Sequence, residues 1–137
     1  MKHFVGIVEK EPGSLWSIWF PDCPGCTTAA EDFETALGQA KDALRLWTDE
    51  AAEDGAAEAL PRTLDQLRTD PAVLEALAQG HAAVLVPLIQ ESGRSVRANI
   101  SLDAGLLQSI DMAAKARGLT RSAFLASAAR EKILAEV

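Results

Sequence analysis

Long apolar runs, histidine and cysteine are all scarce in this 137-residue chain, and each scarcity removes a class of function. The longest apolar run, Ala82-Ala83-Val84-Leu85-Val86-Pro87-Leu88-Ile89, falls far below the roughly 20 residues that a membrane-spanning helix needs. No membrane partner is expected. Met1-Lys2-His3 runs straight into a strand-like pattern with no secretory leader, so the cytoplasm is the expected location. The chain holds two histidines, His3 and His81, and two cysteines, Cys23 and Cys26. A zinc site takes about four ligands, and no second cysteine pair is present to complete one. A redox Cys-x-x-Cys opens a helix, where the macrodipole lowers the thiol pKa. Pro21-Asp22-Cys23-Pro24-Gly25 has turn chemistry instead, because Pro fixes φ and Gly accepts positive φ. The pair is read as part of a turn, with no cofactor and no metal.

Positive charge is also short, but only in the first two thirds of the chain. Residues 1–93 carry 16 acidic and 6 basic residues, a net of −10, and residues 94–137 carry 4 acidic and 7 basic, a net of +3. These account for the overall −7. An acidic body with a basic tail suggests two surfaces with two different partners. An acidic surface suits a basic protein, for example one that itself binds RNA. The simpler alternative is that the acidic residues keep the body soluble. The length allows one domain or two small ones, and the charge change places the break between 1–92 and 93–137.

In the first segment, His3 to Glu9 and Leu15 to Phe20 read as strands joined by the turn Glu11-Pro12-Gly13-Ser14. Trp16, Ile18 and Phe20 share one face of the second strand, and Ser17 and Trp19 the other. Cys26 to Ala29 follows as a short third strand. A helix begins at Asp32, a good N-cap, with Glu31 and Glu34 near its positive end. Phe33, Ala36, Leu37, Ala40, Leu44 and Trp47 form one helical stripe that needs a sheet to cover. Residues 50–63 read as helix end and loop, and Thr63 to Arg68 as a short helical turn. Asp70-Pro71 opens a helix through Ala78 that Gly80 stops. The apolar stretch from Ala82 to Leu88 reads as a strand buried on both faces, with Pro87 at its edge or end.

Phe20-Pro21-Asp22-Cys23-Pro24-Gly25-Cys26, the acidic-capped helix with Ala36 and Leu37, and Leu60-Pro61 ahead of a Val-Leu-Val-Pro strand resemble the HicB antitoxin family. The resemblance covers about residues 2–90, and departs at Cys23, where a larger apolar residue is expected. It implies an α+β body with a partial, catalytically degraded ribonuclease H-like fold. A working nuclease of that kind gathers several carboxylates on metal ions, whereas the first strand offers only Glu9 near its end. The body therefore reads as a binding module and not as an enzyme.

In the tail, Val96, Ala98, Ile100 and Leu102 would share one face of a strand, with Arg97, Asn99 and Ser101 on the other. Arg suits guanine, Asn suits adenine, and Ser suits either base in a major groove. Asp103 caps a helix bearing Leu106, Leu107, Ile110, Ala113 and Ala114, and Gly118 ends it. A second helix starts near Thr120, with Phe124, Leu125, Ala128, Ala129 and Ile133 facing a core. Strand, helix and helix in this order resemble a ribbon-helix-helix DNA-binding unit. Such a segment cannot bury much surface alone, and a lone strand has no partner for its backbone. An obligate homodimer pairing the two strands is therefore expected, with a tetramer if the bodies also associate. Arg97, Asn99 and Ser101 are the base-reading candidates, and Thr120, Arg121, Ser122 and Arg94 the phosphate contacts. The two resemblances together imply an antitoxin of a type II toxin–antitoxin pair. It would neutralise a HicA-type mRNA-cleaving toxin and repress its own operon at operator DNA. The alternative is an orphan regulator with the same tail and no toxin.

Overall fold

The computed structural model describes residues 1–91 and 93–135. Residue 92, at the expected break, and residues 136–137 of the expected tail lie outside the described residues. The chain divides into two compact units, Met1–Gln90 and Glu91–Val137.

The first unit is built on four strands, β1 (Lys2–Glu9), β2 (Trp16–Trp19), β3 (Thr27–Ala30) and β4 (Ala82–Leu88). They form one antiparallel sheet in the order β3-β2-β1-β4. Alternation along the strands sorts the apolar side chains onto two faces. Phe4, Val8, Ile18, Phe20, Val86 and Leu88 meet α1 (Phe33–Glu53) on one face. Val5 and Ile7 meet α2 (Leu64–Leu67) and α3 (Pro71–Ala78) on the other, through Leu67, Val73 and Ala76. Each fully buried Leu, Ile, Val or Phe contributes about 1.5–3 kcal/mol relative to exposure, so these two layers supply most of the favourable term.

The helix signals act as the sequence indicates. Asp32 accepts a hydrogen bond from the Thr35 N–H at 2.8 Å and starts α1. All six residues of its apolar stripe pack into the larger core. Thr63 and Gln66 exchange side-chain and backbone bonds as a capping box for α2. Asp70 caps α3 ahead of Pro71. Gly6 is required by close approach: a Cβ there would lie 2.9 Å from Ile18 Cγ2 and 3.4 Å from the Phe20 ring. The missing side chain admits both residues beneath α1.

In this unit the expectation for β4 needs correction. β4 is not buried on both faces, since Ala82 is exposed and Leu85 keeps 54% of its surface in solvent. β4 is an edge strand paired only with β1, and the two short helices on that face do not extend over Leu85. Pro87 is tolerated because an edge strand can do without one ladder N–H.

The second unit holds α4 (Ala104–Ala116) and α5 (Arg121–Ala135). Asp103 Oδ1 accepts from the Leu106 N–H at 3.0 Å. At the other end Gly118, with φ of 66°, donates to Lys115 and Leu119 donates to Ala114. That pair of bonds is a Schellman closure, which needs a residue at ease with positive φ. Thr120 Oγ1 then accepts from the Ala123 N–H at 3.1 Å and caps α5. Among the described residues of this unit only Ile110 and Ala114 are buried. Ala128, Ala129 and Ile133, expected to face a core, are exposed in the single chain. Two helices alone cannot enclose a core.

Candidate functional site

Residues 94–103 carry neither helix nor strand, and every one is exposed. The expected strand over 96–102 is not formed within the chain, because no strand among the described residues of this unit offers backbone partners. Val96 is 75% exposed and Ile100 63%. Among the described residues the side chains of Arg97, Asn99 and Ser101 make no hydrogen bond or ion pair. Arg94 is exposed as well. The seven candidates thus fall into two groups, one along 94–101 and one at the start of α5.

In the second group Thr120 is occupied as the cap of α5, and Ser122 is exposed in its first turn. Arg121 is held by a contact that sequence reading missed. Its Nε and Nη2 donate to Asp111 Oδ1 and Oδ2, each at 2.8 Å. The hydrogen bonds from Arg121 hold the Asp111 carboxyl below its ordinary range and raise the guanidinium in turn. A guanidinium has five N–H donors, so three remain for another acceptor. The two residues are ten positions apart across the Gly118 turn, a spacing that no single-helix rule flags. Arg117 lies 5.7 Å over the Phe124 ring and joins the same two helices. Arg130 is paired with Glu91, its Nε donating at 2.8 Å.

In the first unit the Phe20–Cys26 segment is a tight turn. Cys23 N donates to Phe20 O at 3.1 Å and Cys26 N to Cys23 O at 3.0 Å. Both thiols are free and buried in the core beneath α1. Burial pushes Cys23 up to about 12, with Cys26 and Asp22 adding to it, and pushes Cys26 up to about 11. A thiol that stays protonated is a poor nucleophile. Alkylation of the native protein at pH 8, followed by mass spectrometry, is expected to be slow at both positions and fast after unfolding. An unfolded thiol titrates near pH 8.5. The raised folded values therefore leave stability undiminished below that pH and erode it as pH rises toward 11 and 12.

Asp22 in this turn reaches across 40 positions to Arg62. It accepts from the Arg62 N–H at 2.8 Å and from Nε at 2.6 Å, and Arg62 also reaches Asp70 at 3.3 Å. The aspartate of the Pro-Asp-x-Pro-Gly turn therefore ties the loop after α1 to the cap of α3. Glu9, the single carboxylate considered for chemistry, accepts from Trp19 Nε1 at 3.0 Å. His81 Nε2 lies 3.3 Å from Glu11. Among the described residues no three His, Cys, Asp or Glu side chains gather as a metal site. No helix among them is long and apolar enough to cross a membrane.

An antiparallel sheet-and-helix unit followed by a helix pair with an exposed polar segment defines a two-unit α+β protein. Residues 4–129 match the family described as HicB_like antitoxin of bacterial toxin-antitoxin system, and the chain belongs to that family. It is similar to the crystal structure of the antitoxin HicB of Burkholderia pseudomallei, with 29% identity and a TM-score of 0.59. That match covers 94% of this chain and 96% of the other. The crystal structure of antitoxin HicB3 matches with 26% identity and a TM-score of 0.54, covering 97% and 98%. A complex of the toxin HicA3 with HicB3 supplies a further likeness of fold, at 19% identity and a TM-score of 0.53, over 65% of this chain and 100% of the other. A search of curated protein sequences found no match.

Proposed function

We propose that this chain neutralises a small basic HicA-type mRNA-cleaving toxin through its acidic body, and represses its own operon through its tail, in the cytoplasm. The body is read as a partial ribonuclease H-like fold used for binding, and the tail as a ribbon-helix-helix unit. Membership of the family and the likeness to a toxin–antitoxin complex support the first part.

The second part rests on one observation: the tail unit leaves much of its apolar surface uncovered. Among its described residues none beyond Ile110 and Ala114 is buried, while Val96, Ile100, Leu106 and Ile133 are exposed. Apolar patches of this kind mark association surfaces. Two copies of 96–102 paired antiparallel satisfy each other's backbone groups, and four helices then enclose one core. Arg97, Asn99 and Ser101 line the outer face of that ribbon and read bases in a major groove. The exposed start of α5, with Thr120, Arg121 and Ser122, takes a phosphate, and Arg94 flanks it. Association of the bodies would raise the dimer to a tetramer.

Arg97→Ala is expected to weaken operator binding by about 1–3 kcal/mol and to flatten sequence preference. A gel-shift titration on duplex DNA from upstream of the coding region measures both. Titration curves matching the wild type on specific and scrambled duplexes would remove the ribbon assignment.

A further inference from the structure

Two thiols have no part in the toxin or operator readings. Cys23 is the position at which the sequence departs from the HicB pattern, and the departure gives the turn its second thiol. The Cys26 N–H donates to Cys23 O at 3.0 Å, with Pro24 and Gly25 between them and Gly25 at a φ of 85°. Pro at the second position and positive φ at the third mark a type II turn, whose end Cα atoms lie within about 7 Å of each other. A disulfide bridges Cα atoms about 4.4–6.8 Å apart. Both side chains enter the one core beneath α1, so the two sulfurs leave the turn in the same direction.

Three contacts hold this turn in place. From α1, Trp47 Nε1 donates to Pro24 O at 3.0 Å. Asp22 accepts from the Arg62 N–H and Nε, and across the base of the turn the Phe20 N–H donates to Cys26 O at 3.3 Å. Held this way, the sulfurs are kept close before any bond forms between them, which favours the intramolecular step. Pro24 and Gly25 are exposed, and the thiols are buried directly beneath them. A local opening of the turn therefore admits a small reagent. Thiols that stay protonated exchange slowly, so the setting suits a staple and not an exchange catalyst.

We infer that Cys23 and Cys26 form a reversible modification site, a dithiol that closes into an intrachain disulfide at the expense of a small-molecule disulfide such as glutathione disulfide. The thiolate of Cys26, the less completely buried of the two, attacks one sulfur of the reagent and expels the first glutathione thiolate. Cys23 then attacks the Cys26 sulfur and expels the second. One S–S bond breaks in the reagent and one forms in the chain. Two electrons pass to the reagent, and the two thiol protons pass to the released glutathione. The coupling is reciprocal: a fold that favours the bond is stabilised by it to the same extent. Oxidation thus makes the body harder to unfold, whether or not the chain binds a toxin or an operator.

The test equilibrates the full chain with graded ratios of glutathione to glutathione disulfide, once folded and once in concentrated guanidinium. Equilibrium is reached when reduced and oxidised starting samples agree. Each sample is quenched with acid, its free thiols are alkylated, and the intact chain is weighed. The folded chain is expected to convert to a species two hydrogens lighter that takes up no alkylating group, at the mass of one chain. The chain has two cysteines, so such a bond joins Cys23 to Cys26. Half closure should need an at least about tenfold smaller share of glutathione disulfide in the folded chain than in the unfolded one, as closing even a short loop favours the folded state. The closed form should also unfold at higher denaturant, read by tryptophan fluorescence. Half closure at an equal or larger share in the folded chain would show that the turn opposes the bond, and would overturn the inference. Stable mixed disulfides with glutathione, or two chains joined covalently, would overturn it as well.

Discussion

Ile100→Asp should lose operator affinity by at least about a hundredfold and scatter light as a smaller particle, with its body still folded. In the single chain Ile100 is 63% exposed and carries no structural duty. In a ribbon it would lie on the inner face with Val96 and Leu102, and two-fold symmetry would place it there twice. An unpaired buried carboxylate costs several kcal/mol, and the dimer would bear two. In the proposed ribbon DNA binding would need both strands, so it would fail with the dimer. Gel shift and light scattering on one preparation read both effects. Full affinity at unchanged mass would mean that 94–103 stays in water when the protein binds DNA.

Phe20→Ala is expected to cost about 3–5 kcal/mol of body stability, a large share of the roughly 5–15 kcal/mol typical of a folded domain. Phe20 is 2% exposed, closes β2 onto the turn that holds Cys23 and Cys26, and occupies space left open by Gly6. Capture of a basic partner should fall as the body unfolds. Operator binding should persist, because the core containing Phe20 draws on no residue beyond Leu88. Chemical denaturation followed by tryptophan fluorescence reports on the body directly, since Trp16, Trp19 and Trp47 all lie there. Parallel loss of DNA binding and body stability would show that the two units do not fold independently.

Most of the body's elements were legible because they are written in short-range patterns. The placing of Ile18 and Phe20 on one face and Trp19 on the other follows from strand alternation, and the two cores divide that way. Asp32, Thr63, Asp70 and Asp103 announce their helices because a side-chain oxygen can satisfy an N–H two or three residues on. The exposure of Leu85 was not legible. The apolar run in β4 looks the same whether one strand or two lie beside it, and the number of neighbours is a property of the assembled sheet. Asp22 with Arg62 and Asp111 with Arg121 were invisible for the same reason: each pair meets only after intervening turns have closed.

The candidate site was legible in its residue types and not in its geometry. Alternation at 96–102 can be recognised, yet a strand needs an adjacent backbone to hold it, and one copy of this chain provides none.

By itself, the sequence determined the order of strands and helices in the body and the two helices of the tail, which side chains of β2 and α1 turn inward, and that an acidic half precedes a basic one. Those features depend on residues within about four positions of one another. Only the tertiary structure decided that Leu85 of β4 stays in solvent, that Arg121 is tethered to Asp111, and that Asp22 reaches across to Arg62. Each of these depends on which distant surfaces meet, and that is settled by packing and not by periodicity.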